Sequence, residues 1–208
     1  MTQITGWIRQ CILAMGLFSM AGCGVLGAVE QAAAPVDAFT LAPITPPEAA
    51  PSGLHIIVEP TEAAGALATD HILIKPNALQ AQYLPAANWT DPAPALVQIL
   101  LVASLQNSGG FLRVGRDGAG LLPDYTVLSD LRDFQAEAAT DGSQTWQVRV
   151  GITLSIVRES DRTLIASRHF ESIAPAAADD TGTLVNAFQS AMSAALRDQV
   201  AWILAQTG

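Results

Sequence analysis

The sequence predicts an α/β fold, a single domain whose mixed, mostly antiparallel sheet is packed by two main helices. Three observations carry that expectation. Trp146, Val148, Val150, Ile152, Leu154 and Ile156 alternate with Gln147, Arg149, Gly151, Thr153 and Ser155, as in a strand with one buried and one solvated face. The apolar run LVQILLVASLQ stands between Asp91-Pro92 and Ser108-Gly109-Gly110, a helix start and a helix stop. Leu184, Phe188, Ala191, Met192, Ala195, Leu196, Trp202 and Ile203 recur at i, i+3 and i+4 spacing, with Gln199 the one break in the stripe.

The elements follow in order. Residues 1–10 carry a single charged side chain, Arg9, and the chain from Cys11 to Ala21 is apolar and small before Gly22-Cys23-Gly24. That arrangement describes a secretory signal peptide over residues 1–22. Met20-Ala21-Gly22-Cys23 resembles the bacterial lipobox, in which the cysteine is acylated and becomes the new first residue. Cys23 is therefore the expected lipidation site, and several acyl chains would make a stable anchor where one alone is marginal. Gly24 is not the Asp that commonly retains such proteins in the inner membrane, which favours the periplasmic face of the outer membrane. The competing reading is a retained transmembrane anchor, because Ile12 to Val29 runs without a charge at about the length needed to span. Glycines 16, 22, 24 and 27 interrupt that run.

Residues 23–52 read as a lipidated N-terminus and flexible tether, rich in proline and alanine, with Phe39-Thr40-Leu41 as a candidate edge strand. From Gly24 to Asp37 an extended chain could reach about 45–50 Å from the lipid. The domain is expected over residues 53–206. Leu54 to Val58 reads as a buried strand stopped by Pro60, Asp70 to Lys75 as a second, and Leu79 to Tyr83 as a short third. Asp91 is the expected N-cap of the first helix, with Pro92 pre-organised at its first position. Its scarcity of polar residues predicts burial on more than one side. Phe111 to Val114 is expected as a strand and residues 115–123 as a loop. Tyr125 to Ala136 reads as a longer strand whose apolar phase slips between Val127 and Leu131, as a bulge requires. Glu159 to Arg162 turns the alternating strand into a partner over Leu164 to Glu171. The last helix is capped near Asp179–Thr181.

Composition narrows the function. A length of 208 residues suits one domain with appendages. Ten basic against 19 acidic residues, a net charge of −9, leave no basic field to displace counterions, so nucleic acid is excluded as a partner. Two cysteines exclude a disulfide scaffold. Cleavage would remove Cys11 and leave Cys23 lipidated, so no cysteine nucleophile, disulfide or cysteine–metal site is expected in the folded part.

No catalytic constellation stands out. His55, His71 and His169 fall in three separate expected strands without ligand spacing, and a structural or surface role is expected for each. There is no nucleophile elbow, no Walker A motif and no dinucleotide fingerprint; Gly115 to Gly120 lacks the Lys-Ser/Thr ending and reads as a surface loop. Glu59/Glu62, Asp130/Asp133 and Asp179/Asp180 lie in polar, turn-like or capping contexts. Asn88-Trp89-Thr90 matches a glycosylation acceptor, an accident if the cell is bacterial. No catalytic residue, metal or cofactor is expected.

Several segments, in order, resemble the ABC-type transport auxiliary lipoprotein family (paraquat-inducible protein C-like). They are Phe39-Thr40-Leu41-Ala42-Pro43, His55 to Pro60, Asp70 to Ile74, and Tyr83 followed by Asn88-Trp89-Thr90-Asp91-Pro92. Leu105 to Val114, Phe134 to Glu137, Arg168-His169-Phe170, Ala187-Phe188 and Trp202 continue the series to about residue 204. Asn88 stands where the family usually has a basic residue. The resemblance implies a non-enzymatic accessory of a transport system that moves phospholipids or other hydrophobic molecules across the bacterial envelope. Its implied partners are a periplasmic MCE-domain protein and, indirectly, an ABC permease and ATPase, with a homo-oligomer as a further option. Docking and scaffolding is the leading role. A lipid shuttle is the alternative, predicting a cavity of several hundred Å³ lined by groups such as Leu96, Leu100 and Leu184. A periplasmic enzyme is the third reading and needs the histidines or carboxylates to converge in space.

Overall fold

A computed structural model describes residues 36–116, 122–139 and 145–208. In chain order the elements are β1 (Asp37–Phe39), β2 (His55–Val58), β3 (Glu62–Ala63), β4 (His71–Asn77), β5 (Gln80–Trp89) and α1 (Ala93–Asn107). There follow β6 (Arg113–Gly115), β7 (Tyr125–Ala138), β8 (Trp146–Arg158), β9 (Thr163–Ala176) and α2 (Thr181–Thr207). The expected class holds: a mixed sheet with two helices.

Strand β7 organises the sheet. One edge pairs antiparallel with β8 from Tyr125–Arg158 to Ala138–Trp146. The other edge is shared in parallel by three short strands, β2 beside Tyr125–Val127, β3 beside Asp130–Leu131 and β4 beside Gln135–Glu137. Thr61 and Ser129 bridge the gap between the first two with a buried hydroxyl–hydroxyl bond of 2.7 Å. β5 returns antiparallel to β4, and β1 lies parallel to β5 at the sheet's end. β6 flanks β2, and β9 flanks β8. The phase slip in β7 is real but sits later than expected: the register shifts between Leu131 and Asp133, so Arg132 is the extra residue.

Both helices join the core built on the apolar row of β8, whose Val148, Val150, Ile152, Leu154 and Ile156 are fully buried. In α1, Leu96, Val97, Leu100, Leu101, Val102 and Leu105 are all buried, so the helix is enclosed on more than one side as its sequence demands. It ends at Ser108, and Gly109 takes the positive φ (66°) that stops it. Its start differs from expectation. Pro92 is the N-cap without a side-chain bond, while the Asp91 carboxylate accepts from Thr90 Oγ1 instead. α2 starts as expected, with Asp180 accepting from the Thr183 amide at 3.0 Å.

Expectations need correction in three places: β5, the later strands β6 and β9, and the tether. β5 continues from the expected end at Tyr83 to Trp89, because Trp89 plugs the core against Phe134 and Phe188, with ring centroids 5.5 and 5.0 Å away. Ala86 absorbs the change of path with φ 55°. The strand expected over 111–114 is β6, displaced to 113–115, and β9 runs on past Glu171 to Ala176.

The third correction concerns the tether. Residues 37–52 are part of the compact unit that spans Asp37–Gly208, so the domain begins well before residue 53. The edge strand is 37–39 rather than 39–41, and Leu41 is buried. Beyond it the chain runs as a strap over both helices. Ala42 exchanges two bonds with the Gln189 side chain, Ile44 is held by Ser104 and Asn107, and Ala49 and Ser52 donate to Ser108 and Gly110. Prolines blocked regular structure here, but they did not prevent backbone groups from finding side-chain partners on α1 and α2.

Candidate functional site

The expected lipid site, Cys23, and the proposed signal peptide lie outside the described residues, as does most of the glycine loop over 115–123. No helix among the described residues is long and apolar enough to cross a membrane. Among the described residues, polar side chains gather on the sheet face opposite the apolar row of β8.

That face collects the polar half of each long strand. Thr126, Leu128, Asp130, Asp133, Gln135 and Glu137 of β7 stand opposite Val157, Ser155, Thr153, Gly151, Arg149 and Gln147 of β8, which in turn face β9. Cross-strand pairs bind it together: Ser155–Ser167 at 2.9 Å and Thr153–His169 at 3.1 Å. Arg149 spans three strands, 2.8 Å from Glu137 and 3.0 Å from Glu171. Burial pushes the Glu137 carboxyl upward, but the bonds from Arg149, Gln147 and Gln135 together outweigh it and hold the carboxyl below its ordinary 4.5. The bond to Glu137, reinforced by Glu171, raises the Arg149 guanidinium in turn.

At the end of this face, the segment 59–62 and the outer residues of β7 and β8 enclose an open groove of about 810 Å³. Glu59, Glu62, Asp130 and Glu159 line it, with Arg132 as the cationic side chain, ion-paired to Asp130 at 2.6 Å. Thr126 Oγ1 donates to Glu159 at 2.6 Å, and half-exposed Leu128 with Val157 supplies the apolar floor. Such a wide, acidic groove suits a polar segment better than an acyl chain. Sequence reading took Glu59, Glu62 and Asp130 as dispersed turn carboxylates. It could not see that β2 and β3 attach to successive parts of one strand and so bring those carboxylates to one rim.

The histidines do not converge. His55 stands at the start of β2, where its amide donates to Asp124. His71 on β4 bonds Asn88 at 2.9 Å and packs on Tyr83, and His169 on β9 bonds Thr153. Among the described residues no group of three or more His, Cys, Asp or Glu could hold a metal. Asp180 caps α2, as its context predicted, whereas Asp133 accepts from Gln135 and lies over Gly151. Leu96, Leu100 and Leu184, the expected lining of a shuttle pocket, are packed in the core, and none lines the groove or the neighbouring clefts of about 420 and 370 Å³. Asn88 of the glycosylation match is occupied by His71 and Asp70.

The fold is shared with solved structures. A Xanthomonas campestris protein assigned to the DUF330 family superposes with a TM-score of 0.74 at 23% identity, covering 82% of this chain and 96% of that one. An uncharacterized protein does so at 0.64 and 15% identity, over 82% and 99% of the two chains. A hypothetical protein from Chlamydia trachomatis does so at 0.52 and 10%, over 74% and 98%. No curated protein matches the chain. These likenesses define the class of domain, a mixed sheet backed by two helices. The family is defined by the sequence: the model for the ABC-type transport auxiliary lipoprotein component matches residues 39–201, and the chain belongs to that family. The match begins at Phe39, the last residue of β1.

Proposed function

We propose that the protein is a non-enzymatic, membrane-anchored accessory of an ABC transport system that moves phospholipids or other hydrophobic molecules across the bacterial envelope. It acts as a docking and scaffold component for a periplasmic MCE-domain protein, held by acylated Cys23 at the periplasmic face of the outer membrane. The observation that carries this reading is the family match over residues 39–201. Two features support docking over carrying. The core residues that would have to line an acyl pocket are closely packed, and the groove beside the segment 59–62 is open and acidic. The chain from Cys23 to the start of β1 could span at most about 40–45 Å.

Two experiments test the proposal. Cys23→Ala is expected to leave the membrane fraction for the soluble periplasm with its fold intact. Retention of that variant in the membrane would favour the uncleaved anchor. Purified protein is expected to bind the periplasmic MCE-domain protein of the same bacterium and to show no stoichiometric noncovalently bound lipid in native mass spectrometry. A bound phospholipid without MCE binding would turn the assignment to the shuttle.

A further inference from the structure

β9 is a 14-residue strand, and among the described residues it pairs with β8 alone. The other two ends of the sheet, β1 and β6, are three residues each, as edges usually are. Along β9 the side chains of Ser167, Arg168, His169, Glu171 and Ile173 are exposed. We infer that this edge is an interface with a second copy of the chain, the two β9 strands pairing antiparallel about a two-fold axis at Phe170 to make one continuous sheet.

The backbone orientation sets what the edge can offer. Pro175 has no N–H to donate, and it pairs with Gln147, which places it at a non-hydrogen-bonded position of the β8–β9 ladder. Ser167 reinforces this assignment: its hydroxyl reaches the Leu154 carbonyl, which points toward β9 for the neighbouring Arg168. Residues 167, 169, 171 and 173 therefore turn their N–H and C=O groups away from β8 to the free edge. A second strand can take these groups only in registers that pair odd residues with odd.

Side-chain complementarity then selects among the two-fold registers. An axis at His169 sets histidine against histidine, one at Glu171 sets carboxylate against carboxylate, and one at Arg168 sets guanidinium against guanidinium. With the axis at Phe170, His169 faces Glu171 of the other copy twice, Ser167 faces Ile173, and Arg168 faces Ser172. An imidazole–carboxylate hydrogen bond made twice across the pair favours that register, whereas like charges directly across a strand pair destabilise it. Glu171 is already oriented by Arg149 at 3.0 Å, and Arg168 sits over the Phe170 ring, 4.9 Å from its centroid. This pairing stands apart from the transport reading and survives or fails without it.

The test uses disulfide trapping in the full chain. Arg168→Cys/Ser172→Cys places two thiols in a non-hydrogen-bonded pair across the axis. Within one strand the same two sites lie about 13 Å apart and cannot be bridged. Mild oxidation is expected to yield a covalent dimer on a non-reducing gel, at least tenfold more than the parental chain or Arg168→Cys alone gives. Adding His169→Pro, which removes an N–H aimed at the edge and no N–H used by β8, is expected to abolish the dimer while circular dichroism stays that of the folded double variant, with Tm lowered only by the lost Thr153 contact. A monomer from the double variant, a dimer from Arg168→Cys alone, or a dimer indifferent to His169→Pro would each overturn the pairing.

Discussion

Asp133 lies directly against Gly151 across the β7–β8 pair: a Cβ on Gly151 would sit 2.7 Å from Asp133 Oδ2 and 3.1 Å from its Cβ. The extra residue Arg132 crowds β7 toward its neighbour at this point, and only a hydrogen fits. Gly151→Ala is expected to lose about 1–3 kcal/mol through overpacking, seen as a Tm lower by roughly 2–4 °C per kcal/mol. An unchanged melting curve would mean the bulge yields freely.

Arg149 makes acid stability depend on Glu137. The folded carboxyl titrates below its ordinary 4.5, so the unfolded chain binds more protons there than the folded one. The stabilisation is complete above the unfolded value and disappears as pH falls through the folded one. Urea titrations at stepped pH should show stability declining below about pH 4.5, with a shallower decline in Glu137→Gln. Because the pair is partly solvated, its loss at neutral pH is expected to cost only about 1 kcal/mol.

Gln199 works against the fold. It is fully buried on the inner stripe of α2, and neither Oε1 nor Nε2 has a partner among the described residues. Removing the amide without leaving a hole should therefore help. Gln199→Met is predicted to stabilise by about 1–3 kcal/mol, measured as a higher urea midpoint. A lower midpoint would show that the amide has a partner after all, such as an enclosed water.

The strap offers a local test. Gln189 grips Ala42 through its donor at 3.1 Å and its acceptor at 2.7 Å. Gln189→Ala is expected to speed amide exchange of residues 40–46 at least tenfold while leaving α1 and the β8 core protected. Uniformly faster exchange would instead make the strap part of the global unfolding unit.

What could be read in advance was whatever repeats locally. The alternation along β8, the stripe of α2 and the glycine stop after α1 are imposed by neighbours a few residues away, and each stands where its pattern placed it. Misplaced boundaries share one cause. Trp89 extends β5 because Phe134 and Phe188 wait for it, and Pro92 rather than Asp91 caps α1 because Asp91 turned to Thr90.

The linear chain thus determined the class of fold, the order of its main elements and the family to which it belongs, because periodicity and motif order are properties of residues near one another. Tertiary structure alone decided that residues 37–52 belong to the domain as an edge strand and a strap, that β2, β3 and β4 share one edge of β7, and that distant carboxylates meet at a groove. Those outcomes depend on hydrogen-bond partners dozens of residues apart, such as Ala42 and Gln189, whose pairing becomes favourable only when the core beneath has already brought them together.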